Sequence, residues 1–195
     1  MKKPLRAMII ALLLSSCGGS SSTTPPRDLD NACTILQQRP DYYRAFKKTE
    51  RKWGIPIHVQ MATIHQESKF VGNARTPFRY VLGVIPMGRQ SSAFGYGQAL
   101  DGTWDEYVVA ERKRGARRDR IDDATDFMGW YKNISRERNG IALTDARNQY
   151  LAYHEGHSGY RRGSYNAKPW LIGVAGRVET RAAMYEQQIA ACRLR

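Results

Sequence analysis

The sequence predicts a single domain that is mostly α-helical. Apolar residues recur at helical spacing: Ile57, Met61 and Ile64 form a stripe that Ser68 continues. Residues that start or stop helices punctuate the chain, among them Gly54, Gly156 and Pro169. Only one short run, RYVLGV at 79–84, has the composition of a strand. A length of 195 residues with 42% hydrophobic and 25% charged side chains suits one medium domain.

The elements follow in order. MKKPLR is a basic start and AMIIALLL a short apolar run, too short to span a bilayer but of signal-peptide length. The run ends in LLSSC at residues 13–17, which resembles the lipobox of bacterial lipoproteins. That resemblance implies cleavage after residue 16, acylation of Cys17 and a membrane anchor. GGSSSTTPP then reads as a tether, giving a 1–16 signal, a 17–27 tether and a 28–195 domain.

Within the domain, Asp41 is expected to cap a helix running to Trp53, which Gly54 ends. Pro56 suits the first turn of the next helix. Residues 71–95 carry six Gly and Pro, so they are expected to be loop with a small strand pair near 79–86. Trp104 and Tyr107 begin another helix, and ERKRGARRDR is a solvated turn. Asp122 or Asp123 opens the helix TDFMGWYKNISRE. Thr144 caps a helix through NQYLAYHE that Gly156 stops. Pro169 starts a final helix to Ala191.

Charge and cysteines narrow the function. The formal net charge is +13, of which Lys2, Lys3 and Arg6 supply three, so the remainder is still strongly basic. That favours an anionic partner. Export removes most of the case for nucleic acid and leaves peptidoglycan, an anionic glycan mesh, and membrane surfaces. Besides Cys17 there are two cysteines, Cys33 and Cys192, which bracket the domain and can pair in an oxidising periplasm.

Three short stretches carry the chemistry. Glu67-Ser68 closes the apolar helix; a carboxyl against an apolar wall is held toward its neutral, proton-donating form. Gly95-Tyr96-Gly97-Gln98 lets backbone approach a ligand closely and offers an amide for a sugar hydroxyl or acetamido group. Ala152-Tyr153-His154-Glu155-Gly156 ends a helix with a tyrosine. In this order they resemble the soluble lytic transglycosylase domain, with its Glu-Ser, Gly-Leu-Met-Gln and Ala-Tyr-Asn motifs.

The resemblance implies a goose-type-lysozyme-like fold, Glu67 as a lone acid/base, and Ser68, Gln98 and Tyr153 as positioning groups, with Tyr96, Gly97 and Glu155 beside the substrate. It implies cleavage of the MurNAc–GlcNAc β-1,4 bond to 1,6-anhydroMurNAc ends, without a cofactor. Two departures stand out. Tyr96-Gly97 replaces Leu-Met, so another residue must fill that wall, and His154-Glu155 brings an imidazole and a second carboxylate. A goose-type hydrolase using Glu155, and a non-catalytic peptidoglycan-binding lipoprotein, are the alternatives. No metal is expected: His154 and His157 stand three apart around a glycine, not four apart on an unbroken helix. Gly18 after Cys17 resembles outer-membrane sorting of periplasmic lipoproteins. The oligomeric state is not read from the sequence.

Overall fold

A computed structural model describes residues 24–194. The expected signal, Cys17, Gly18 and the start of the expected tether lie outside the described residues. The helices are α1 (Ala32–Gln38), α2 (Pro40–Trp53), α3 (Ile57–Ser68), α4 (Asp101–Ala110), α5 (Ile121–Asn139), α6 (Ala146–Arg161) and α7 (Pro169–Ala191). Strands β1 (Phe78–Val81) and β2 (Ile85–Arg89) form an antiparallel pair between α3 and α4. The architecture is lysozyme-like.

α3 is the central helix. Nine of its twelve residues are buried, because α2, α5, α6 and α7 all pack on it. The stripe at 57, 61 and 64 is therefore only part of a surface buried nearly all round. The polar residues inside are satisfied locally: Gln60 Nε2 donates to Phe46 O (3.1 Å) and Ile55 O (2.8 Å), and Thr63 Oγ1 to Val59 O (2.9 Å). Just after Ser68 the chain turns through two consecutive left-handed residues, Lys69 (φ 52°) and Phe70 (φ 61°), neither a glycine. Phe70 is fully buried, stacked on Tyr42, and its packing holds that turn in place.

α5 is fixed against α2 by one buried carboxylate. Asp126 accepts from Trp53 Nε1 (2.7 Å), Tyr107 Oη (2.8 Å) and Lys52 Nζ (3.0 Å), and pairs with Lys113 (3.0 Å). Those donors hold it down at about 2, against the burial that would raise it. Near the two ends of the described residues, Cys33 and Cys192 are joined as a disulfide with Cα atoms 5.8 Å apart. Around it Arg181 pairs with Asp30 (2.7 Å) and the Ala32 amide donates to Gln188 Oε1 (2.7 Å).

Several helix boundaries differ from the sequence reading. Asp41 does not cap α2; Arg39 is the cap and Pro40 occupies the first turn, which leaves Asp41 in that turn, where its charge complements the helix dipole. Pro56 is itself the cap of α3. α4 starts at Asp101, before Trp104. α5 starts at Ile121, with both Asp122 and Asp123 in its first turn. The cap of α6 is Asp145, whose carboxylate accepts from Asn148 N (2.9 Å), rather than Thr144. Gly156 does break the helical path (φ 76°, ψ 156°), but the chain resumes a helix to Arg161. Helix α1 and the 3-10 turn Ser164–Ala167 were not expected.

Candidate active site

The C-terminal turn of α3 carries Glu67 toward α5 and α6. Burial is the largest influence on its carboxyl and raises it; a hydrogen bond from Tyr150 and the charges of Lys132 and Lys69 pull the other way. The outcome is a carboxyl pushed up to about 7. Such a carboxyl keeps its proton to higher pH than an ordinary glutamate, the poise a general acid needs if it must later act as base.

Lys132, from the middle of α5, is the unexpected neighbour. Its side chain is fully buried and Nζ has no hydrogen-bond partner among the described residues. Nζ lies 5.5 Å from the centre of the Tyr153 ring, a cation–π distance. Burial pulls its ammonium down to about 7, while the Glu67 charge works to keep it protonated. A carboxyl and an amine that both titrate near neutrality behave as one coupled pair. The sequence held a signal for this lysine. It falls in the buried line Ile121, Ala124, Thr125, Met128, Lys132 and Ser135, where a solvated residue would not fit.

The turn after the hairpin forms the opposite wall. Gly95 has φ +82°, and a Cβ there would lie 2.1 Å from Arg118 O, so only glycine fits. Gln98, also left-handed (φ 49°), donates from Nε2 to Ala74 O (3.0 Å) and Gly95 O (2.8 Å). Its amide nitrogen therefore braces the turn, and only Oε1 is left to face a ligand. Tyr153 Oη donates to Gly97 O at 2.6 Å, tying α6 to this turn. A Cβ on Gly97 would meet Tyr153 Oη at 3.0 Å and Met128 Sδ at 3.3 Å. Met128, from α5, thus fills the wall left vacant where Tyr96-Gly97 stands in place of Leu-Met.

A groove of about 240 Å³ runs beside this constellation, lined in part by Gln98, Leu100, Phe127, Tyr153 and Glu155. Glu67 does not line it. Tyr153 links the two, since it lines the groove while its hydroxyl, raised chiefly by burial, feels the Glu67 charge. A larger hollow of about 500 Å³, with Arg44, Lys48, Arg117 and Arg120 on its walls, shares no residue with the groove or with the groups around Glu67.

Of the expected contact residues, Ser68 and Tyr96 face inward, and Glu155 lines the groove with its carboxylate already bonded. Ser68 is buried and its Oγ turns back to Ile64 O (3.3 Å), as a helical serine does when no better acceptor is in reach. Tyr96 is 1% exposed, its hydroxyl 2.9 Å from Tyr42 Oη and its ring edge-on to the Tyr42 ring, so it belongs to the core. Glu155 has a side chain only 3% exposed and already occupied: Lys168 Nζ sits 2.7 Å from Oε1, Ser164 donates to Oε2, and His154 Nδ1 is 3.1 Å away. Those donors hold its carboxyl down at about 2. It braces α6 against the 3-10 turn. His154 and His157 face different groups, Glu155 and Trp170 for the first, Ser135 and the Tyr131 ring for the second.

A comparison with curated proteins finds no match. The model of one protein family, described as the transglycosylase SLT domain, matches residues 5–192, which is nearly the whole chain. The mostly helical scaffold with its small antiparallel strand pair is consistent with that family. The chain belongs to the transglycosylase SLT domain family, with a lytic-transglycosylase-like function on peptidoglycan.

Proposed function

We propose that the protein cleaves the MurNAc–GlcNAc β-1,4 bond of peptidoglycan with Glu67 as its single acid/base, leaving 1,6-anhydroMurNAc ends. The observation that carries this is the Glu67 carboxyl at the end of α3, facing Tyr150 and Lys132 and pushed up by burial, with no second unbonded carboxylate beside it among the described residues. Protonated Glu67 donates to the glycosidic oxygen as the bond to the anomeric carbon breaks. The substrate's own acetamido group stabilises the positive charge that develops there, so no second protein carboxylate is needed. The Glu67 carboxylate then takes the proton of the MurNAc 6-hydroxyl. That oxygen attacks the anomeric carbon, the anhydro ring closes, and Glu67 is protonated again without a water being consumed. Lys132 supplies positive charge near Glu67 during the interval in which it is ionised.

Glu155 weighs against the hydrolytic alternative. A carboxylate held at about 2 by Lys168 and Ser164 is a weak base, and its oxygens are already bonded. Gln98 Oε1 and the Tyr153 ring are the groups available to orient a sugar. We also infer from the LLSSC stretch that Cys17 is acylated and anchors the chain in the periplasm, at the outer membrane.

The test is mass analysis of material released from purified sacculi by the wild type and by Glu67→Gln. Anhydro-muropeptides from the wild type, with a loss of about 10²–10⁴-fold or more in the variant, are expected. Reducing ends would identify a hydrolase. No release by the wild type would leave a binding module.

A further inference from the structure

The hairpin Phe78–Arg89 is the least covered part of the described chain. Every residue of β1 and β2 is exposed. Ten large apolar residues are exposed among those described, and seven of them lie between 78 and 87. Such a concentration marks a contact surface.

Its shape says what kind. Val81 pairs with Ile85 and Tyr80 with Pro86, neighbouring pairs that alternation puts on opposite faces of the ribbon. Both faces are therefore apolar, and so is the tip, where Leu82 is 86% and Val84 75% exposed. A protein or glycan partner would cover one face. An apolar ribbon exposed on both faces and at its end fits a medium that surrounds it.

The tip also carries a conformational oddity. Leu82 (φ 52°) and Gly83 (φ 74°) are the central residues of a turn, within the three-residue loop between the paired Val81 and Ile85, in which Val84 N donates to Val81 O at 3.3 Å. The first position of such a turn favours Asn, Asp or Gly. A leucine there is strained and, 86% exposed among the described residues, gains little packing, so its presence points to contact outside the described fold.

Charge identifies the medium. From Lys69 to Leu100 the sequence has four cations (Lys69, Arg75, Arg79, Arg89) and no acidic residue. Arg75, Arg79 and Arg89 form no ion pair among the described residues. At the hairpin base Arg75 and Arg118 flank the Phe94 ring, at 4.1 and 5.4 Å from its centre. Arg79 stands three residues from Leu82, about 10 Å along an extended strand, close to the depth at which interfacial segments bury their apolar parts.

We propose that this hairpin inserts its tip into an anionic phospholipid surface, with Leu82 and Val84 at the acyl boundary and the arginines at the phosphates. The inference does not depend on the catalytic reading or on an anchor at Cys17.

The test uses the full chain on a Cys17→Ser background with an environment-sensitive fluorophore at Val84→Cys, and a control label at Val109→Cys, which is also exposed. Vesicles of phosphatidylglycerol and phosphatidylethanolamine should shift the label at 84 to the blue and quench it when their acyl chains are brominated. The label at 109 should not respond, and neutral phosphatidylcholine vesicles should give little signal. Arg79→Glu with Arg89→Glu should weaken partitioning at low salt by at least about tenfold. Leu82→Asn should weaken it about tenfold while its melting temperature holds or rises, because Asn accepts the left-handed turn.

Release of muropeptides from sacculi by Leu82→Asn is read separately and should match wild type. A label at 84 that stays water-like on anionic vesicles overturns the proposal. So does loss of sacculus cleavage in Leu82→Asn with an unchanged vesicle signal, which would make the hairpin a glycan clamp. A signal at 84 that rises with protein concentration in the absence of lipid would mean self-association instead.

Discussion

Replacing Lys132 by methionine should make the protein more stable and alter its pH dependence. Methionine matches most of the length of the lysine stem and carries no charge, so the α5 stripe closes without a buried amine. The magnitude follows from burial, which takes the Lys132 ammonium from 10.5 to about 7. At 1.36 kcal/mol per unit, keeping that proton in the folded protein costs about 5 kcal/mol at any pH below 7, an upper bound. The folded value is depressed, so between pH 7 and 10.5 the unfolded chain binds more protons and wild-type stability rises with pH. The stability gained by Lys132→Met should therefore be largest at pH 6 and shrink as pH rises toward 10.

Glu67 loses a neighbouring cation in the same variant, so its carboxyl moves further up. The alkaline limb of kcat/KM should shift to higher pH, and kcat should fall because the ionised intermediate state loses its countercharge. Denaturant melts at pH 6 and pH 10, with a pH profile of anhydro-muropeptide release, test both halves. A variant no more stable than wild type at pH 6, with an unmoved alkaline limb, would refute this account of Lys132. A purely structural lysine would change the melts and leave the limb where it was.

Two further changes probe the frame around the site. Glu155→Gln should keep the product type. It should cost about 1–2 kcal/mol at neutral pH, since the partner Lys168 is 39% exposed and solvent screens the pair. The Glu155 carboxyl is depressed, so its stabilisation is present above about 4.5 and lost as pH falls toward about 2; acid melts of the two proteins should converge there. Gly95→Ala should destabilise by about 2–4 kcal/mol and lower activity, because its Cβ would fall 2.1 Å from Arg118 O at φ +82°, and calorimetry with a sacculus assay reads both effects.

Legibility in the sequence varied with the kind of signal. α7 was readable at both ends, because Pro169 sets its first turn and the chain turns extended at Cys192. The hairpin was visible in RYVLGV, but its second strand runs on to Arg89, through Pro86, which an exposed two-stranded ribbon tolerates. α1 was missed because seven residues make too short a window for periodicity, and its hold comes from α2 and α7 rather than from itself. In the site, a motif supplies positions along the chain but not the direction of a side chain. Ser68 and Tyr96 stand in the expected stretches yet turn inward, to Ile64 O and Tyr42. Lys132 escaped because a lone lysine is easily read as a solvated interruption, although its helical spacing with Met128 and Ser135 puts it on the buried face, where the structure finds no hydrogen-bond partner for it among the described residues.

The join between the two ends of the described chain has a mechanical meaning. Cys33 and Cys192 enclose a loop of 159 residues of sequence separation that contains Glu67, the hairpin and all of α2 to α7. A pull applied near residue 24 and resisted at the C-terminal end passes through the covalent bridge and leaves that loop slack. A pull resisted at the groove instead must cross α1 and the side-chain ties of α7 to Leu29, Asp30 and Ala32 before it reaches α3. Tension on the N-terminal end is thus taken up at the seam between α1 and α7. The geometry around Glu67 is isolated from it, as a tool working on a stretched mesh would require.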